Sequence, residues 1–429
     1  MELEELSRFN SWWTTGLVRE AVLEKYKRKL YDELKKNLGR RQALLVWGMR
    51  RVGKTVLALQ LIDDLLKGGV NPRFIVYFSF DEAPSDVRDV LETYQKLVLN
   101  TTFEAIDGTI YVFLDEIQKV QDWESKIKVY YDLYPRVKFV LTGSAAVALR
   151  KRSRESLAGR IVAFLLEPLS FEEFLELSGK EVGAVRKNPG LWDREMTGLL
   201  YRYMRCGSFP ELVGEDDEEF ARNYVLGNVI ERVVYRDVPQ EFGLRDVELL
   251  RSLLYLVARN PGAVVNYREL SKNLGRDQRT ISNYMEYLEY GLLVRLVHNY
   301  RGSPLASARK MKKAYLGTPN LAFAFGQPDS HVAPKLLENL VLVKTDAKFF
   351  YRNNFEVDFV LVHEGNLIGI EVKEDESDIR QLKLFLKHFP GKVVKAVLVA
   401  AGRETIEGVE VVPAWEFLLG SRDFVRRLG

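Results

Sequence analysis

The chain has 429 residues, 47% hydrophobic and 29% charged, the balance of a soluble globular protein long enough for roughly two to four domains. Lysine and arginine total 63 against 60 for aspartate and glutamate, so a net charge of +3 is too even to argue for nucleic-acid binding by itself. The single cysteine, Cys206, excludes an internal disulfide and a cysteine-based metal site, and the four scattered histidines show no zinc spacing.

In chain order, the opening MELEELSRFN lacks the apolar core of a signal peptide, and no later run approaches the ~20 apolar residues of a membrane span. A cytoplasmic protein without a membrane role is expected. Val22, Tyr26, Leu30 and Leu34 recur every four residues and predict a basic helix over 17–41. Continuous apolar runs then predict strands at 43–47, 73–80, 109–114, 137–142 and 161–166, with room for helices between them. This is the α/β pattern of a parallel sheet. After Pro168 the pattern turns helical to about residue 245. Residues 246–330 carry short helices and a hairpin. From 331 a second α/β segment opens with a helix, followed by strands at 356–362, 367–372 and 394–399. The expected divisions are 1–42, 43–167, 168–245, 246–330 and 331–429.

The first strand ends in Gly48-Met-Arg-Arg-Val-Gly53-Lys54-Thr55, which fits G-x-x-x-x-G-K-[ST] at every fixed position. Gly48 lets the chain leave the strand sharply, and Gly53 lets backbone N–H groups approach phosphates without a Cβ. The helix that follows favours anions at its N-terminus. Gly48, Arg50, Arg51, Val52, Gly53, Lys54, Thr55 and Val56 are therefore the candidate ATP cradle. In it Lys54 reaches the β- and γ-phosphates, and the Thr55 hydroxyl ligates Mg²⁺. The strand TIYVFLDEIQ ends in Asp115 and Glu116. Asp115 is placed to hold Mg²⁺ through water, and Glu116 to orient and deprotonate the attacking water. The strand FVLTGSAA ends in Thr142, Gly143 and Ser144, where a hydroxyl could meet the γ-phosphate or simply close a turn.

These motifs resemble the AAA+ branch of P-loop ATPases. They are similar to a large group of prokaryotic members that carry GxRRVGKT, LDEIQ, TGS and an LxGR…PLSFxEF stretch. The segment RCGSFPEL matches the group's GGFPE turn except at Cys206 and Ser208. The resemblance implies strand order 5-1-4-3-2, a helical lid over 168–245, and a C-terminal domain of the restriction-endonuclease-like kind. It makes Arg160 an arginine finger or γ-phosphate sensor, the former only across the subunit boundary of a homo-oligomer. A structural ion pair is the alternative for Arg160.

In the middle segment, Ile281, Tyr284, Met285 and Leu288 share one helical face. Arg276, Gln278, Arg279, Thr280 and Asn283 then point outward near the helix start, where recognition helices contact bases. With GLLVRLVHNY and ARKMKKAYL as a hairpin, this resembles a winged helix, which binds DNA or serves as a protein contact. The runs Arg150–Arg154 and Arg309–Lys313 add charge that attracts phosphate, or form ordinary solvated faces. Further on, Asp358 lies on one strand while Glu371 and Lys373 lie on the next, on one face by alternation. A turn around Glu364-Gly365-Asn366 brings the strands together. Carboxylates so arranged hold Mg²⁺ or Mn²⁺ and activate water against a phosphodiester, with Lys373 stabilising developing charge. Glu338 is a further candidate ligand, and Glu371–Lys373 could equally be a plain ion pair. This resembles the PD-(D/E)xK nuclease fold, in which Gln381 would stand where some members carry a functional glutamine. The expected function is an ATPase coupling its nucleotide state to DNA binding and metal-dependent cleavage. The alternative is a nucleotide-operated switch for a protein partner, with an inactive nuclease-like domain.

Overall fold

The structure, a computed structural model, describes residues 1–144, 157–302, 311–374 and 378–420. It forms two compact units, Met1–Glu167 and Pro168–Gly429. Among the described residues no helix is long and apolar enough to cross a membrane.

In the first unit the apolar runs become β1 (Ala43–Trp47), β2 (Ile75–Ser79), β3 (Ile110–Asp115), β4 (Val137–Gly143) and β5 (Ile161–Leu165). They pair in parallel in the order β5-β1-β4-β3-β2. The run character has a direct cause. β1, β2, β3 and β4 are buried along nearly their whole lengths, so alternation with polar residues would place unpaired polar groups in the core. Each buried Val, Leu or Ile side chain contributes on the order of 2 kcal/mol.

The helix expected over 17–41 is confined to Leu30–Leu38. Tertiary bonds outcompete the helical ones before it, because the Gln60 side chain donates to the carbonyls of Glu24 (2.7 Å) and Tyr26 (2.8 Å). Upstream, side chains finish the open edge of β2. Asn10 exchanges two hydrogen bonds with the backbone of Tyr77 (2.7 and 2.8 Å), as a neighbouring strand would. The indoles of Trp12 and Trp13 both donate to the Ile75 carbonyl (3.0 and 2.8 Å). An edge so covered has no free ladder to offer another chain.

The second unit is built on one nine-stranded sheet, ordered β13-β14-β12-β11-β10-β9-β7-β8-β6. Its strands are β6 (Ala263–Val264), β7 (Val294–Asn299), β8 (Lys312–Leu316), β9 (Phe349–Arg352), β10 (Glu356–His363), β11 (Asn366–Val372), β12 (Val393–Ala400), β13 (Glu404–Ile406) and β14 (Val409–Pro413). Helices Val247–Arg259, Tyr267–Leu274 and Gln278–Tyr290 precede the β7–β8 hairpin. Ile281, Tyr284, Met285 and Leu288 are buried as their spacing implies. One sheet takes strands from both sides of the expected division at 330/331. β7 pairs in parallel with β9, and the buried Asn299 side chain bonds both ways with the Arg352 backbone (2.9 and 3.0 Å). β10 and β11 form a hairpin around Glu364-Gly365, both at the positive φ that a tight two-residue turn requires.

Candidate functional site

Gly48 leaves β1 where the backbone of Leu166 crosses it, and an added Cβ would lie 2.2 Å from the Leu166 carbonyl oxygen. Its glycine is thus demanded by close packing as well as by the turn. Gly53 meets the other requirement: it has open space around it but sits at φ +96° as the cap of helix Lys54–Lys67. Arg51 also takes positive φ, at 64°. Val52 is buried, Arg50 and Val56 are half-buried, and Arg51 is exposed. Lys54 is buried, and its ammonium donates to the carbonyls of Gly48 (3.3 Å) and Met49 (3.0 Å), so the loop curls around its own lysine.

The loop is braced by a residue that motif reading passes over. Buried Arg28 donates to the carbonyls of Val52 (2.6 Å) and Glu167 (2.8 Å), tying the loop to the segment that follows β5. Its only sequence signal is one arginine in a basic stretch. Arg28→Ala is expected to cost on the order of 2–3 kcal/mol, since charged hydrogen bonds to buried carbonyls are lost. The shift of the urea unfolding midpoint checks this.

The acids stand at the C-terminal end of β3, beside the loop. Asp115 is buried and accepts hydrogen bonds from Thr55 (2.9 Å), Tyr77 (3.0 Å) and Thr142. Burial, and then the neighbouring Glu116, raise its pKa against the pull of these three hydroxyls. Glu116 takes a left-handed backbone at φ 54° and turns back toward the loop, its carboxylate 3.8 Å from the Lys54 ammonium. Gln118 donates to the same carboxylate. Thr142 bridges the two acids: its hydroxyl donates to Asp115 and accepts from the Glu116 backbone N–H (3.2 Å). It therefore acts here through the acids. Ser144 at the strand tip receives the Gln118 side-chain oxygen on its N–H (3.3 Å).

Tyr77 was not legible as a site residue, because it sits within an ordinary apolar strand. Register supplies the reason for its role, since Tyr77 faces Phe113 on the strand that carries Asp115. Burial and the nearby Asp115 hold its phenol protonated, well above the usual tyrosine range. Tyr77→Phe removes one of the three hydroxyls from which buried Asp115 accepts and is expected to cost on the order of 1–2 kcal/mol of stability. The shift of the urea unfolding midpoint reads this.

Arg160 does not join the group. It immediately precedes β5, whose first residue pairs with Ala43, so it lies at the opposite end of the parallel sheet from the loop. It makes a two-point ion pair with Asp132 (2.8 and 3.1 Å), the structural alternative considered for it. The run Arg150–Arg154 lies outside the described residues.

In the second unit Gln278, Arg279 and Asn283 are exposed at the start of their helix. Thr280 is drawn into the cap by Asp277 (2.9 Å to its N–H), and Arg276 is paired with Asp246 (2.7 Å). Of the basic run 309–313, residues 309 and 310 lie outside the described residues. Glu338, Asp358 and Glu371 are all buried. Asp358 and Glu371 are linked through backbone N–H groups, with the Glu371 carboxylate on the Asp358 N–H (3.2 Å) and the Asp358 carboxylate on the Val372 N–H (3.0 Å). Lys373 pairs with Glu371 (3.2 Å), and Gln381 accepts from the Glu356 N–H (3.3 Å). Burial raises the pKa of both Asp358 and Glu371.

A residue from β8 stands beside Glu338 and Asp358, two of the three expected metal ligands. The Lys313 ammonium lies among the carboxylates, 2.6 Å from Glu356, 3.5 Å from Asp358 and 3.7 Å from Glu338. Among the described residues no group of three or more His, Cys, Asp or Glu side chains is arranged to hold a metal ion. Lys313 was read as part of a basic run. Strand alternation was the available signal, since it puts Lys313 on the same face as Tyr315, which donates to Glu338.

Residues 40–175 match the family model described as an AAA domain. Residues 197–326 and 329–417 match two models described as domains of unknown function, DUF8612 and DUF4143. An uncharacterized protein of Haemophilus influenzae is 25% identical over 392 residues, spanning 87% of this chain and 94% of that one. An uncharacterized protein of Methanocaldococcus jannaschii is 26% identical over 409 residues, spanning 87% and 88%. The solved structure of C. elegans PCH-2 is 14% identical over 42% of this chain and 52% of that chain, with a TM-score of 0.26. The loop, the strand order and the domain match agree: residues 40–175 form an AAA-type P-loop module.

Proposed function

We propose that the chain binds and hydrolyses ATP with Mg²⁺, and that its nucleotide state governs what the Pro168–Gly429 unit binds. The observation that carries this reading is the meeting of Thr55 and Asp115, which hydrogen-bond at 2.9 Å with Lys54 and Glu116 beside them. The residues fit the cofactor. A hydroxyl and a carboxylate from different elements share one point, and the lysine ammonium is held by loop carbonyls rather than by a full ion pair. Thr55 and Asp115 would hold Mg²⁺, which when bound neutralises charge on the phosphates. Gly53 and the loop N–H groups would receive the phosphates, and Lys54 would exchange carbonyl partners for phosphate oxygens. Glu116 would take the proton of the attacking water, while Gln118 and Thr142 orient it.

DNA is the first partner to test. The order of helix, short strand, two helices and hairpin over 247–316, and the exposed Gln278, Arg279 and Asn283, support a winged-helix contact. One observation favours the second reading, a switch that binds a protein partner: Lys313 stands among the carboxylates that cleavage would need. ATPase rates with single-stranded, duplex and branched DNA separate the two. A stimulation that falls steeply with salt supports DNA, whereas a slow rate indifferent to every DNA form supports the protein partner.

A further inference from the structure

Lys313 is a long cationic side chain only 2% exposed, and it must have a partner to stay charged there. It reaches over the sheet face, 5.2 Å from the Phe350 ring centre, to meet Glu356, Asp358 and Glu338. β8 and β10 are not neighbours; β7 and β9 lie between them. The contact therefore joins parts of the sheet that backbone pairing leaves apart. Around it, Lys335 pairs with Glu338 (2.7 Å), Arg352 with Glu356 (3.3 Å) and Lys373 with Glu371 (3.2 Å). Each of Glu338, Glu356, Asp358 and Glu371 thus has a cation at ion-pair distance, Lys335, Arg352, Lys313 and Lys373 respectively. A divalent ion added to this set would stand in a buried place a few ångströms from an ammonium.

We propose that the Lys313 ammonium is the resident cation of this cluster, standing where a divalent metal would sit, and that the cluster is an ionic joint between β8, β10 and helix Ala333–Thr345. This inference is independent of the ATPase reading. Burial alone would discharge the amine, but Asp358, Glu338 and Glu356 outweigh it and hold the charged form. The residues Glu338, Asp358 and Glu371 then have a structural use that requires no turnover.

The test is a count of bound Mn²⁺ by electron paramagnetic resonance on the full chain without nucleotide. Wild type and Asp358→Asn should bind the same number of ions. Lys313→Ala should bind one more per chain, and Lys313→Ala/Asp358→Asn should lose it again. The proposal is overturned if wild type binds one Mn²⁺ more than Asp358→Asn, or if a folded Lys313→Ala gains none. Should Lys313→Ala fail to fold, as judged by circular dichroism, the comparison of wild type with Asp358→Asn decides alone.

Discussion

Lys54→Ala should lower ATP turnover by on the order of 10²–10³-fold while the protein remains folded. The expectation follows from where the ammonium is held. It is buried, bonded to two carbonyls of its own loop, and 3.8 Å from Glu116, so it sets a positive charge beside the acid placed to act on water. Alanine removes that charge without leaving a carboxylate stranded, because Glu116 keeps Gln118 as a donor. The two carbonyls lose a partner, which costs roughly 1–3 kcal/mol. A coupled-enzyme ATPase assay measures the first effect, and the far-UV circular dichroism spectrum checks the fold. Turnover equal to wild type would place the chemistry elsewhere in the chain.

Gly48→Ala should be the more damaging of the two loop-glycine substitutions. The new methyl would lie 2.2 Å from the Leu166 carbonyl oxygen, and that atom is backbone, fixed by the Leu166 N–H bond to Trp47 (2.8 Å). Relief requires β1 and the segment after β5 to separate, costing about 3 kcal/mol or more. Gly53→Ala meets nothing within 4 Å and pays only for its positive φ, on the order of 1–2 kcal/mol. Chemical denaturation of both variants measures the difference. A Gly53 variant equal to or less stable than the Gly48 variant would contradict this packing.

Strands β1 to β4 of the first unit were readable because they are buried along nearly their whole lengths and so appear as unbroken apolar runs. The loop was readable because each of its fixed residues answers a local requirement. Three other features depend on partners far along the chain. Arg28 braces Val52 and Glu167, Tyr77 donates to Asp115, and Lys313 fills the cluster around Asp358. No periodicity links such positions. The segment before Leu30 misled for the same reason: a four-residue spacing favours a helix locally, but Gln60 takes the carbonyls that a helix would use. That strands on either side of residue 330 share one sheet was not legible, because their join is a short parallel pairing, His298 with Phe349 and Asn299 with Phe350.

Calorimetric titration of the full chain with ADP and a non-hydrolysable ATP analogue in Mg²⁺ bears most directly on the whole account. Saturable binding of one nucleotide per chain, weakened on the order of tenfold or more in Lys54→Ala, is the expected result. Absence of nucleotide binding to the folded wild-type protein would contradict it.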